Sequence, residues 1–196
     1  MSAPGTAYVE PDWQDWRALL AAWPEGEAAI TALDSIDAFG RLAAHAPLLV
    51  GTFPLGLALP GSDLDIACHM PDPVAAGAVI RRAFGTHGAA SDRLFLRDGV
   101  PTLVYGFEAE GHAIEIFGQP VAPREQFGHR HLRAEHVLLW RHGEALRAAV
   151  RDLKQGGMKT EPAFAAAIGL PAGDAYRLVL DHADAVAAQA GLALRF

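Results

Sequence analysis

Two short clusters of small and acidic residues have a spacing that suits chemistry. Gly51-Thr52 follows an apolar run, and Asp63-x-Asp65 comes about ten residues later. Alternate side chains of a β-strand share a face, so Asp63 and Asp65 point the same way, about 7 Å apart along the strand. Carboxylates so placed repel each other unless a cation lies between them, and hard oxygen ligands suit Mg²⁺, which fills its shell with water and substrate phosphates. The spacing therefore predicts a site for a metal ion and a phosphate.

A second predicted strand supplies a third acid. Glu115 lies between Ile114 and Ile116. The two isoleucines share one face of the strand, so Glu115 stands on the other. An unpaired carboxylate buried in an apolar strand costs several kcal/mol. We therefore expect Glu115 to face water, a cation or a metal ion.

These elements together resemble the motif of polymerase-beta-type nucleotidyltransferases. That motif is a hydrophobic strand, Gly-Ser or Gly-Thr, about ten residues, Asp-x-Asp, and a third carboxylate on a neighbouring strand. The chain has Leu48–Val50, Gly51-Thr52, Asp63, Asp65 and Glu115 in these places. From about residue 28 to about residue 180 it is also similar to a family of small, functionally unassigned proteins with a nucleotidyltransferase-like core. The stretches that carry this second similarity are Leu49–Gly56, Pro60–Asp65, Glu115–Gln119 and Lys159–Phe164.

The resemblance implies transfer of a nucleoside monophosphate from a nucleoside triphosphate to a hydroxyl group. It implies two Mg²⁺ ions held by Asp63, Asp65 and Glu115, with Glu115 also accepting the proton of the acceptor. Gly51 and Thr52 would contact phosphate, and Ser62 is either a further phosphate donor or an ordinary turn residue. A rival function is a non-catalytic nucleotide sensor or a toxin–antitoxin partner with the same fold. A purely structural interpretation makes Asp63 a turn cap and Asp65 a solvent-facing strand residue, but it leaves Glu115 unexplained.

Composition narrows the class of protein. A chain of 196 residues with 51% apolar residues predicts one domain, or one compact core with a helical appendage. The net charge of −7 argues against a general nucleic-acid coat, so we expect a small-molecule or protein acceptor rather than a long nucleic acid. Cys68 is the only cysteine, which fits a reducing cytoplasm, and we expect it to be a buried, inert thiol. No apolar run approaches the eighteen residues of a membrane span, so no membrane partner is expected.

A basic segment follows the predicted strands. Between Arg124 and Lys159 the sequence has eight basic and four acidic residues. This segment either receives a triphosphate or a polyanionic acceptor, or is a solvated helix face. One helical stripe carries three of its cations: Arg147, Arg151 and Lys154. Lys159 precedes a predicted helix start, where a phosphate is well placed, so we favour Lys159 over the stripe for contact with phosphate.

Four histidines lie close together in this segment: His129, His131, His136 and His142. No two of them have the i, i+4 spacing of a helical zinc site, and no cysteine lies near them. The pattern therefore predicts a scattered, partly exposed set. His131 coincides with an Arg-His pair of the similar family, and it is the one expected to line the cleft.

The elements that position these residues follow from periodicity and turn signals. The predicted helices are Asp12–Leu20 with Asp12 as its cap, Glu27–Ala44, Pro73–Phe84, Arg124–Arg141, Glu144–Lys154, Glu161–Ile168 and Asp174–Gln189. The predicted strands are Leu48–Thr52, Asp63–His69, Leu94–Arg97, Pro101–Phe107 and His112–Phe117. Strands cluster in the middle and helices at both ends, which favours an α+β fold with a mixed sheet flanked by helices. We expect a nucleotidyltransferase-like core over residues 1–120 and a helical C-terminal segment over 121–196.

Overall fold

One mixed sheet forms the centre of the molecule in the computed structural model, which describes residues 7–87 and 90–196. Its five strands run in the order β1-β2-β5-β4-β3. The central pair, β2 and β5, is parallel, and the other neighbours are antiparallel. The strands are β1 (Leu48–Val50), β2 (Leu64–His69), β3 (Ser91–Arg97), β4 (Val100–Ala109) and β5 (His112–Gln119). The predicted fold class, α+β with a mixed sheet, is confirmed.

Seven α-helices surround the sheet in the described ranges. They are α1 (Trp16–Ala21), α2 (Gly26–Ser35), α3 (Ala38–Arg41), α4 (Pro73–Phe84), α5 (Phe127–Gln155), α6 (Thr160–Ala167) and α7 (Ala175–Gln189). Helix α4 has the predicted bounds, because the Asp72 carboxylate accepts from the N–H groups of Val74 and Ala75 at its first turn. Of the helices in the described residues, none is both long and apolar enough to cross a membrane.

Two of the N-terminal predictions were wrong. Helix α1 begins at Trp16 because Asp15, not Asp12, caps it by accepting from the Ala18 N–H at 3.0 Å. The predicted helix Glu27–Ala44 is broken after Ser35. Asp37 adopts a left-handed backbone conformation with φ 49°, which a continuous α-helix does not allow. The segment therefore splits into α2, α3 and a short 3₁₀ turn.

Helix α5 joins the two helices predicted over Arg124–Arg141 and Glu144–Lys154. It starts later, at Phe127, because Pro123–Glu125 forms a 3₁₀ turn. Between its halves Gly143 has φ 68° and ψ −156°, a backbone region essentially restricted to glycine. The two predicted segments are therefore real helical halves on either side of Gly143.

The sheet separates two hydrophobic cores. Leu64, Ile66 and Cys68 alternate along β2 into a core shared with α2 and α4. Ala67 points to the opposite face, into a core built mainly from α5, α6 and α7. Cys68 is fully buried as expected, and burial raises the pKa of its thiol to about 12. The division at residue 120 stays a prediction, since the second core also contains residues from the sheet and its loops.

Candidate functional site

The register of the sheet brings the predicted acids together. Asp65 on β2 is the direct partner of Glu115 on β5, so the two carboxylates share a face on adjacent strands. Asp63 is exposed and lies just before β2 begins. Burial and the charges of Asp63 and Glu115 raise the pKa of Asp65 well above its usual range. Burial and Asp63 raise the pKa of Glu115 as well, while Arg93, 3.6 Å from its carboxylate, opposes that rise.

The chain turns at Gly51 directly against this cluster. Val50 pairs with Asp65, and the next residue, Gly51, has a positive φ of 76°. A Cβ at position 51 would lie 2.2 Å from Oδ2 of Asp65, a distance that real Cβ contacts do not show. The turn therefore needs glycine both for its conformation and for the approach of backbone to carboxylate. Thr52 continues the turn, and its carbonyl accepts from the N–H groups of Leu55 at 3.2 Å and Leu57 at 3.1 Å.

The two other predicted phosphate ligands are Ser62 and Lys159. Ser62 belongs to a turn in which its hydroxyl accepts from the Leu59 N–H at 2.9 Å, and its own proton stays available for donation. Lys159 is exposed and occupies the N-cap position of α6. The phosphate roles of both residues remain predictions.

A cavity of about 780 Å³ lies between this face of the sheet and helices α5 to α7. Three predicted site residues line it: Gly51, Thr52 and Asp65. Asp63, Glu115, Ser62 and Lys159 are not among the described residues of its wall. The wall also carries three arginines and two exposed aromatic side chains that sequence reasoning did not select: Arg97, Arg130, Arg177, Phe127 and Tyr176.

A second cluster of polar side chains lies on the helical wall of the same cavity. One potential ligand atom each from His131, Glu135 and Glu161 lie within 4.8 Å of one another. His131 lines the cavity as expected, and burial lowers its pKa to about 4. The sequence contained a signal for part of this cluster, because His131 and Glu135 are four residues apart on one helix. Because this pair joins a histidine to a glutamate, the spacing of the histidines alone does not reveal it.

The basic stripe of α5 binds protein carbonyls. Arg147 donates to the carbonyl of Leu55, Arg151 to that of Gly56 at 2.8 Å, and Lys154 to that of Leu57 at 2.8 Å. Three successive carbonyls after the Gly51-Thr52 turn are thereby held by one helix. The interpretation of the stripe as a solvated face was wrong for these residues, which position the loop.

The remaining histidines differ in exposure. His129 is 2% exposed, and its Nδ1 lies 3.1 Å from the Arg124 carbonyl, with Trp13 packed edge-on against the ring. His136 contacts the Tyr8 hydroxyl at 3.3 Å. Burial lowers the pKa of both to about 4. The expectation of partial exposure was therefore wrong for His129 and for His131, while His142 is exposed.

The mixed sheet with its acid-bearing central strands defines the nucleotidyltransferase-like fold. Solved structures agree: a Cid1 poly(U) polymerase with magnesium and 3′-dATP bound superposes with a TM-score of 0.51 at 15% identity, covering 79% of this chain and 47% of that chain. A GLD-2/RNP-8 complex gives a TM-score of 0.50 at 13% identity, covering 79% of this chain and 60% of that chain. The chain thus spans roughly half the length of these proteins, and at this identity the likeness shows the fold alone.

Within that fold the chain belongs to the family described as a domain of unknown function (DUF4269), whose model matches residues 31–182. The predicted membership of an unassigned family with a nucleotidyltransferase-like core is confirmed. No curated protein matches the sequence.

Proposed function

We propose that the protein is a metal-dependent nucleotidyltransferase that moves a nucleoside monophosphate from a nucleoside triphosphate to a hydroxyl of a small-molecule or protein acceptor. The observation that carries the proposal is the convergence of Asp63, Asp65 and Glu115 beside the Gly51-Thr52 turn. A scaffold or a plain sensor gains nothing from three clustered acids, two of which, Asp65 and Glu115, have pKa values raised by burial and by the charge of Asp63. A phosphoryl-transfer enzyme uses them to place positive charge next to a triphosphate.

The acidic cluster fits Mg²⁺ by its chemistry. Its donors are hard carboxylate oxygens, and both burial and the neighbouring charges raise the pKa of Asp65, so a cation would stabilise its charged form. Asp63, Asp65 and Glu115 would hold two ions, which when bound would neutralise the triphosphate and make the acceptor hydroxyl more acidic.

The chain's own residues supply the other functions. Glu115 accepts the proton of the acceptor hydroxyl, a role that its raised pKa favours. The Gly51 backbone approaches the phosphates, and Thr52 donates to them from its N–H and hydroxyl groups. Phe127 and Tyr176, exposed on the cavity wall, each offer an aromatic ring for stacking with a nucleobase.

The cavity favours a compact acceptor over a long polyanion. Its described wall carries more acids than bases, since three arginines face six acidic residues: Asp65, Asp98, Glu135, Glu161, Asp174 and Asp181. The phosphates of a long nucleic acid would be repelled by this negative charge along the whole bound segment. A hydroxyl on a small molecule or on a protein side chain would contact the wall at a single position.

The test is incubation with each of the four nucleoside triphosphates, labelled at the γ-phosphate so that the leaving pyrophosphate carries the label, in the presence of Mg²⁺. We expect pyrophosphate release by the wild-type protein and none by Asp65→Asn. The matched control is Asp152→Asn, the same change at an exposed position on α5, which should behave as wild type. Equal release by wild type and Asp65→Asn would refute the assignment. Tight nucleotide binding with no release for any base would favour the sensor function instead.

A further inference from the structure

We propose that His131, Glu135 and Glu161 form a binding site for one divalent transition-metal ion of the Zn²⁺ type, separate from the carboxylates of the sheet. The site is built by two helices and opens on the cavity that Asp65 also lines.

The geometry of the helices brings the three ligands together. His131 and Glu135 are four residues apart on α5, so they lie one above the other on the same face. Glu161 comes from the first turn of α6. One donor atom of each lies within 4.8 Å of the other two. Ligands about 2.0–2.2 Å from a zinc ion lie within roughly 4 Å of one another, so a small rotation of the side chains closes the set.

The unpaired ring nitrogens of His131 independently indicate a missing ligand. The side chain is 6% exposed, yet neither ring nitrogen has a hydrogen-bond partner in the part of the chain that the structure describes. Buried polar atoms are almost always paired, so two unpaired nitrogens on one ring require an explanation. The ring is held between Phe127, stacked at 6.3 Å between centroids, and Tyr176, edge-on at 5.8 Å. A metal ion bound by one nitrogen gives this fixed ring its partner.

The donor types select the metal. Imidazole nitrogen favours zinc and its transition-metal neighbours over Mg²⁺ or Ca²⁺, which prefer oxygen alone. Three protein ligands leave a fourth position for water or a bound molecule, as in zinc sites that exchange ligands. Because all three residues line the cavity, that position faces the space where a substrate enters.

Lys154 does not already serve as the cation of this cluster. Its ammonium donates to the Leu57 carbonyl at 2.8 Å. Over residues 7–87 and 90–196 it forms no ion pair with Glu135 or Glu161, although its charge influences the pKa of both. Glu135 is only 3% exposed, and burial raises the pKa of its carboxyl group well above the usual range. A metal ion bound there would replace the carboxyl proton.

The experiment is calorimetric titration of the metal-free protein with Zn²⁺ alone, followed by Co²⁺ and its visible absorption. We expect one high-affinity equivalent of Zn²⁺ in the wild type. His131→Asn and Glu161→Gln should each weaken it by more than about 100-fold, since even an outer partner of a metal ligand is worth 10–100-fold. The nitrogen-dependent Co²⁺ band should disappear in His131→Asn. The matched control is His129→Asn, which removes another buried histidine of α5 and should leave both readouts unchanged.

Two further variants distinguish this site from the proposed catalytic one. Asp65→Asn should keep the zinc equivalent even though it removes nucleotidyl transfer, so failure of the two proposals can be told apart. Zinc binding lost in Asp65→Asn but kept in Glu161→Gln would overturn the site, as would a wild type that binds no zinc. Glu161→Gln is the glutamate variant of choice because Glu161 is only partly buried at a helix start, whereas Glu135 is buried within α5.

Discussion

The acidic cluster of the sheet, of which Asp65 lines the cavity, and the cluster on the helical wall of that cavity are built in different ways. Asp65 and Glu115 come from neighbouring strands, and Glu115 keeps 27% of its side chain exposed. His131 and Glu135 come from one helix and are almost fully buried, at 6% and 3%. The sheet cluster presents only hard oxygens, whereas the helical cluster adds an imidazole. In the two proposals, the kind of element that supplies the ligands therefore separates two cation chemistries: strands supply carboxylates alone, and a helix supplies an imidazole as well.

The largest expected effect tests whether nucleotide binding depends on the acidic cluster of the sheet. Asp63→Asn and Asp65→Asn should each abolish Mg²⁺-dependent triphosphate binding, because each removes a ligand charge, while the fold remains intact. Relief of repulsion should raise the free energy of unfolding by up to about 1–2 kcal/mol, a usual single-mutation scale. Calorimetry with Mg²⁺ and urea unfolding measure the two effects. Unchanged nucleotide affinity in both variants would contradict the metal assignment.

Next in size is the effect of the third acid. Glu115→Gln should slow transfer by about 10²–10⁴-fold, the usual contribution of a general base, and should change nucleotide binding much less. Single-turnover rates and equilibrium affinity, measured on the same preparation, separate the two. Normal turnover in this variant would make Glu115 a structural residue.

A pH series should separate His131 from Asp65 by the sign of their effects on stability. His131 has a pKa lowered to about 4 in the folded state, so it stabilises the fold above its unfolded value near 6.5 and loses that contribution as pH falls toward 4. The loss amounts to at most about 3 kcal/mol. The pKa of Asp65 is raised, so without metal its contribution is lost as pH rises above about 4.

Urea unfolding between pH 4 and pH 7.5 measures this contrast in metal-free protein. His131→Asn should flatten the acid side of the profile, and Asp65→Asn should reduce the decline on the neutral side. Two variants with profiles parallel to the wild type would show that neither group differs in proton binding between the folded and unfolded states.

The smallest effect concerns the basic side chains near the cavity. Lys159→Ala should weaken nucleotide binding by about 1.5–3 kcal/mol, the value of a charge-assisted hydrogen bond. Arg151→Ala should barely change that affinity but should lower the free energy of unfolding, because the Gly56 carbonyl loses its donor. The reverse ordering of the two affinities would remove Lys159 from the site.

The sheet and its acids were predictable because their signals are local. The two-residue period around Asp65 and Glu115 fixed their faces, and Asp98-Gly99 marked the hairpin between β3 and β4. Helix α4 was predictable for the same reason, since its cap and its end lie within one short stretch.

Other features depended on contacts that a sequence pattern does not carry. The break at Asp37 requires a non-glycine residue at positive φ, which is uncommon. The carbonyls bound by the α5 stripe are backbone atoms without any residue signature. Glu161 joins His131 only because α5 and α6 meet in three dimensions, so the full set of three could not be read from spacing.

Because Gly143 has a non-helical backbone conformation, the two halves of α5 do not share one continuous helical register. A residue inserted into an unbroken helix turns everything beyond it by about 100° around the axis. Here an insertion between residues 144 and 146 would rotate the carbonyl-binding stripe, whereas His131 and Glu135, which precede Gly143, would keep their face on the first half. Glu161 follows the second half, so the length of that half sets where the third ligand meets the other two.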